Sequence, residues 1–201
     1  MQYDPTNKKA MIGINTEIFI ESVIKSGKIN SILNDLGNID YTRSYIGYDP
    51  VSLNIERKYL VSKELNRLGI HMGIDGLLEY NIGYPIGIDI KTLSQSSFKF
   101  ELYKENNSRG VLFNNYIKYL FFGSEEEKLI YIIDREKVLS IVESDHSDGF
   151  FEYPPYKTVC LINKPVTRCY GQIPGNDGLW FCCSENIIKN AILYKIDLRT
   201  L

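Results

Sequence analysis

Residues 85–92, PIGIDIKT, constrain the fold of this chain more than any other stretch. Ile86, Ile88 and Ile90 alternate with Gly87, Asp89 and Lys91, and side chains two apart on an extended chain point the same way. The segment therefore reads as a strand with one apolar face, which demands a covering layer, and a second face carrying Asp89 and Lys91 side by side. A strand also needs neighbours. The chain supplies candidates at 74–80 (IDGLLEY), 97–103 (SFKFELY), 116–122 (YIKYLFF) and 129–133 (LIYII), all β-prone. Asn81-Ile82-Gly83 between the first two is hairpin chemistry, and Asn106-Asn107-Ser108 is a turn.

Helical signals lie before and after these strands. Over 16–25, Ile18, Phe19, Ser22 and Val23 share a face and Gly27 supplies a stop; a second short piece, Ile29 to Leu36, ends at Gly37. Residues 38–48 read as loop or edge strand. Asp49-Pro50 opens a helix that runs from Val51 to Leu68 and stops at Gly69. Residues 134–143 form another, capped by Asp134. Beyond Gly149 the prolines at 154, 155, 165 and 174 describe a tail wrapping the core, with strands expected at Leu179–Cys183 and Ala191–Leu198. No repeat, low-complexity tract or linker interrupts the chain. The expectation is a single α/β domain over 1–201.

Composition narrows the function classes. Of 201 residues, 44% are hydrophobic and 24% charged, a globular balance. No apolar run approaches the ~20 residues of a membrane helix. Met1 to Lys9 is polar and followed by no long apolar stretch, so the expected location is the cytoplasm, with no membrane partner. Cysteines at 160, 169, 182 and 183 lack a C-x-x-C pair and read as free thiols, a Cys169–Cys182 disulfide being the alternative. Net charge is −2, which disfavours a general nucleic-acid binder. The excess of acid is concentrated, however: residues 101–150 hold 10 Asp+Glu against 6 Lys+Arg, led by Glu125-Glu126-Glu127. No serine or cysteine sits in a nucleophile-elbow glycine pattern, and neither His71 nor His146 has triad partners.

The chemistry concentrates around the hairpin. A turn at 81–83 folds Asp75, 14 positions before Asp89, back toward it. Two neighbouring carboxylates repel unless positive charge sits between them. A hard divalent cation answers that need, and magnesium typically takes one or two carboxylates together with waters and phosphate oxygens. The plain alternatives are that Asp89 and Lys91 form a strand-face ion pair, that Asp75-Gly76 is turn chemistry, and that Glu56 is a first-turn acid favoured by the helix dipole.

The ordered set Ile55-Glu56-Arg57-Lys58-Tyr59-Leu60-Val61, Leu65 to Gly69, Ile74-Asp75-Gly76-Leu77-Leu78 and Ile88-Asp89-Ile90-Lys91-Thr92 resembles the PD-(D/E)XK nuclease superfamily. The resemblance spans about residues 50–143. It implies an α/β restriction-endonuclease-like core, a mixed central β-sheet flanked by helices, with additional N- and C-terminal segments, the strands at 97–103, 116–122 and 129–133 continuing that core. It further implies a Mg²⁺-dependent nuclease acting on DNA, with Mn²⁺ as substitute. Asp75 and Asp89 would be the metal ligands, Lys91 the catalytic lysine, and Glu56 the helix glutamate that helps bind metal or water. Ile74 stands where the superfamily has its proline, and the second acid is aspartate rather than the commoner glutamate. Superfamily members that cut both strands are commonly homodimers, and that assembly is expected here. The alternative function is a non-catalytic interaction or structural protein on the same or another α/β scaffold.

Overall fold

The computed structural model describes residues 8–46, 73–94, 97–104, 108–145, 168–173 and 176–201. The helix expected over 51–68, and Glu56 with it, lies outside the described residues, as do both histidines. The chain divides into two compact units: Met1–Thr92, Tyr116–Ile132 and Tyr194–Leu201 in one, Leu93–Asn115 and Ile133–Leu193 in the other.

The first unit is built on a mixed six-stranded sheet. Its strands are β1 (Tyr41–Ile46), β2 (Gly76–Tyr80), β3 (Ile86–Thr92), β5 (Ile117–Ser124), β6 (Leu129–Asp134) and β9 (Ile192–Asp197), in that spatial order. β1 and β2, and β2 and β3, pair antiparallel, whereas β3 and β5 run parallel. Gly83, at φ 102°, makes the β2–β3 reversal in a conformation that side-chain-bearing residues resist. The segment read as loop or edge strand is β1, at the sheet's edge.

Helices α1 (Lys8–Lys25) and α2 (Asn30–Gly37) cover the face bearing Ile86, Ile88 and Ile90. Thr16 Oγ1 lies 2.8 Å from Thr92 Oγ1, and the Tyr80 and Tyr119 hydroxyls donate to the Leu33 and Leu36 carbonyls of α2. α1 starts well before residue 16, and its buried stripe is Thr16, Phe19, Ile20, Val23 and Ile24, with Ile18 and Ser22 facing out. The i, i+3, i+4 set that includes Ile20 and Ile24 places more apolar surface on the sheet than one built on Ile18. Gly37 ends α2 for a reason other than the one its sequence position suggests. Asn38 takes the left-handed cap at φ 55°, while a Cβ on residue 37 would fall 2.2 Å from the Tyr80 ring. The glycine serves helix-to-sheet contact, and asparagine, which tolerates this conformation, turns the chain.

The second unit holds an antiparallel three-stranded sheet in the order β4 (Ser97–Tyr103), β8 (Asn176–Ser184), β7 (Arg168–Ile173). The strand at 97–103 thus departs from the expected continuation of the central sheet. It pairs with β8, placing Phe100 opposite Phe181, their rings stacked at 5.9 Å. This pairing buries Phe98, Phe100 and Leu102 from one strand with Phe181 and Cys183 from the other. Helix α3 (Arg135–Asp145) starts at the expected cap, where Asp134 Oδ1 accepts from the amides of Glu136 and Lys137. A short helix, α4 (Glu185–Ile188), precedes β9. Cys182 and Cys183 are free, buried thiols, so Cys182 is not part of the alternative disulfide, although Cys169 is its register partner; burial pushes the Cys182 thiol up to about 11. Among the described residues no helix is long and apolar enough to cross a membrane.

Candidate active site

The β2–β3 hairpin determines how the site assembles. Gly76 pairs with Ile88, and the Asp75 amide donates to the Ile88 carbonyl at 3.0 Å, extending the ladder one residue beyond β2. Asp75 thereby lies beside Asp89, and its Oδ2 accepts the Ile90 amide at 2.8 Å. That bond fixes one carboxylate to the backbone of the strand carrying the other. Lys91, two residues beyond Asp89 and on the same face, brings Nζ to 2.7 Å from Asp89 Oδ2. Asp75, Asp89 and Lys91 thus stand together, the first two in side-chain contact.

The surroundings give the cluster its electrostatic character. β3 is an interior strand, with β2 on one side and β5 on the other. On the β5 side, Leu120 is the register partner of Asp89 and Phe122 that of Lys91, both fully buried. Asp89 retains 4% exposure, one of four buried polar or charged side chains among the described residues. Burial pushes its carboxyl up to about 7; the Lys91 charge opposes that rise and the Asp75 charge adds to it. The ammonium is close enough to attract Asp89 Oδ2 strongly, yet no well-directed hydrogen bond reaches this buried oxygen.

Such a donor set fits a hard cation: two adjoining carboxylates, one anchored by a backbone amide and one with a buried oxygen short of a directed donor. Among the described residues no three His, Cys, Asp or Glu side chains gather as a metal set. Glu56, the third acid expected, is outside them.

The same face carries a group that sequence reasoning did not single out. Tyr45 pairs with Leu77 and Arg43 with Glu79, so alternation along β2 puts Tyr45, Arg43 and Glu79 on the Asp75 side of the sheet. Arg43 ion-pairs with Glu79, stacks 5.1 Å over the Tyr45 ring, and holds the Glu79 carboxyl below its usual range. Only the β1–β2 register reveals this cluster, because nothing local to 38–48 says which strand it joins.

Compared with protein-family models, curated proteins and solved structures, the chain matches none.

Proposed function

We propose that this protein is a divalent-cation-dependent phosphodiesterase acting on DNA. The observation that supports it is the meeting of Asp75, Asp89 and Lys91 at one point on one face of the sheet. Asp75 and Asp89 would hold the cation, with Glu56 completing the set and Mg²⁺ or Mn²⁺ as the ion. When bound, the cation supplies charge neutralisation at the phosphate and lowers the pKa of a water molecule. The chain's own contribution is positional. The Ile90 amide fixes Asp75, the interior position of β3 fixes Asp89, and Lys91 reaches from its flexible stem to orient the attacking water or a phosphate oxygen. Apolar neighbours exclude bulk water from one side and strengthen every charge interaction there.

One observation favours a non-catalytic role on the same scaffold: the Ile90–Asp75 hydrogen bond also ties the start of β2 to β3, and the Asp89–Lys91 ion pair, within β3, offsets a buried charge. Incubation with plasmid, linear, single-stranded and branched DNA in Mg²⁺, Mn²⁺ or EDTA separates the two. Metal-dependent cleavage lost in Asp89→Asn supports the phosphodiesterase. Intact DNA in every arm, with no metal binding, supports the structural role.

A further inference from the structure

We infer that Arg43, held in place by Glu79 and Tyr45, anchors a second phosphate of a DNA strand whose scissile phosphate lies at Asp75 and Asp89. This rests on the phosphodiesterase reading above and deepens it, by naming a substrate longer than one nucleotide and the residue that grips it.

A bulge in β1 is what brings Arg43 to the site's face. Side chains two apart on a regular strand share a face, so Arg43 would follow Tyr41. Tyr41 pairs with Tyr80, their rings in edge contact at 6.1 Å, and Tyr80 donates its hydroxyl to the Leu33 carbonyl on the helix-covered side. Arg43 instead pairs with Glu79, the next residue along β2, so Thr42 is an extra residue in the ladder. The Thr42 hydroxyl donates to the Glu79 carbonyl at 2.9 Å across the irregularity. Bulges at sheet edges re-aim the side chains that follow them. This one moves Arg43 from the face that alternation would give it to the face of Asp75, Asp89 and Lys91.

The guanidinium is also pre-oriented. Arg43 donates to Glu79 through Nε and stands 5.1 Å over the Tyr45 ring, while the Tyr45 hydroxyl donates to the same Glu79 oxygen at 3.2 Å. Each of the three groups touches the other two. The bond to Glu79 uses the Nε edge and leaves the terminal nitrogens, on a side chain 63% exposed, to an incoming acceptor. Paired N–H groups in a fixed plane match the oxygens of a phosphate, and a fork already oriented loses little freedom on binding.

Spacing sets the length of the substrate. Glu79 is four residues from Asp75 along the β2 direction, about 13 Å at the rise of an extended strand. One strand of a duplex advances about 3.4 Å per nucleotide. A lone nucleotide at Asp75 and Asp89 therefore does not reach Arg43, whereas a strand running across β2 toward the edge strand β1 does. In a chain of net charge −2, whose overall field disfavours phosphate, such a local cation carries much of the attraction.

The test is fluorescence anisotropy of a labelled DNA duplex in EDTA, titrated with NaCl, for wild type, Arg43→Gln, Arg43→Lys and Arg109→Gln. Arg109 is the control for net charge, being exposed, 5.5 Å over the Phe113 ring and in the other compact unit. Arg43→Gln should make the slope of log affinity against log salt shallower by about 0.9, equivalent to about eightfold weaker binding at 0.1 M salt for lines that converge near 1 M. Arg43→Lys should keep the slope and lose part of the affinity, because it retains the charge without the fork. Arg109→Gln should match wild type. An unchanged slope in Arg43→Gln, or an equal change in Arg109→Gln, overturns this inference and leaves the phosphodiesterase reading to its own cleavage assay. No binding by wild type at low salt overturns DNA as the partner and this inference with it.

Discussion

Replacing Asp89 by asparagine in metal-free buffer should stabilise the fold, and the size of the effect follows from where the residue sits. Burial raises its carboxyl from 3.8 to about 7, so between those values the folded protein holds a proton that the unfolded chain has released. Stability contributed by this group is fully present below about pH 4, and it falls as pH rises through the window to about 7. The gap sets a ceiling of about 4 kcal/mol on the cost of the ionised side chain above pH 7. Asparagine mimics the neutral acid and removes that cost, but it gives up the Asp89–Lys91 ion pair. With the Lys91 side chain partly exposed, part of that cost is given back, and the net gain should be about 2 kcal/mol at pH 8 in EDTA, shrinking toward zero near pH 4. The assay is urea denaturation of both proteins across pH 4 to 8.5 in EDTA, repeated in Mg²⁺. Wild type should lose stability with rising pH in EDTA more than Asp89→Asn does, and Mg²⁺ should stabilise wild type only. If Asp89→Asn is the less stable protein at pH 8 in EDTA, Asp89–Lys91 is a structural ion pair and the argument from desolvation is wrong.

In Mg²⁺, Asp75→Asn and Asp89→Asn should abolish DNA cleavage and Glu56→Gln should lower it partially. Lys91→Ala should lower the rate by orders of magnitude while Mg²⁺ still binds; a fully active Lys91→Ala in a plasmid-nicking assay would remove lysine from the chemistry. DNA binding, followed by fluorescence anisotropy, should be weak and fall steeply with salt, because the net charge of −2 leaves only local Lys and Arg to meet phosphate. Salt-insensitive tight binding would mean the partner is not DNA. Light scattering at micromolar concentration should show a homodimer, and a monomer with and without DNA would refute it. Asp134→Ala should cost about 1 kcal/mol in urea denaturation through loss of the two amides capped at α3, and no change would mean the helix start is held otherwise.

The site separates what a sequence holds from what only a fold supplies. Period-two alternation in 85–92 already puts Asp89 and Lys91 on one face and three isoleucines on the other, because strand geometry fixes side-chain direction from the local chain alone. Asn81-Ile82-Gly83 marks a turn between neighbouring strands, which brings Asp75 back toward Asp89, while the β2–β3 pairing sets the register. The Asp134 cap is likewise local. Burial is not local. A polar strand face next to a turn suggests solvent, yet Asp89 is enclosed because β5 returns in parallel after an excursion through 93–116 and sets Leu120 and Phe122 beside the site. The same excursion takes 97–103 into a different sheet, a choice made by the apolar faces of β4 and β8 rather than by β-propensity. The carboxylates and the lysine were written in the sequence. The raised Asp89 carboxyl, the anchoring of Asp75 by the Ile90 amide, and the Arg43–Glu79 pair on the same face came only with tertiary structure, because desolvation and register depend on residues distant along the chain.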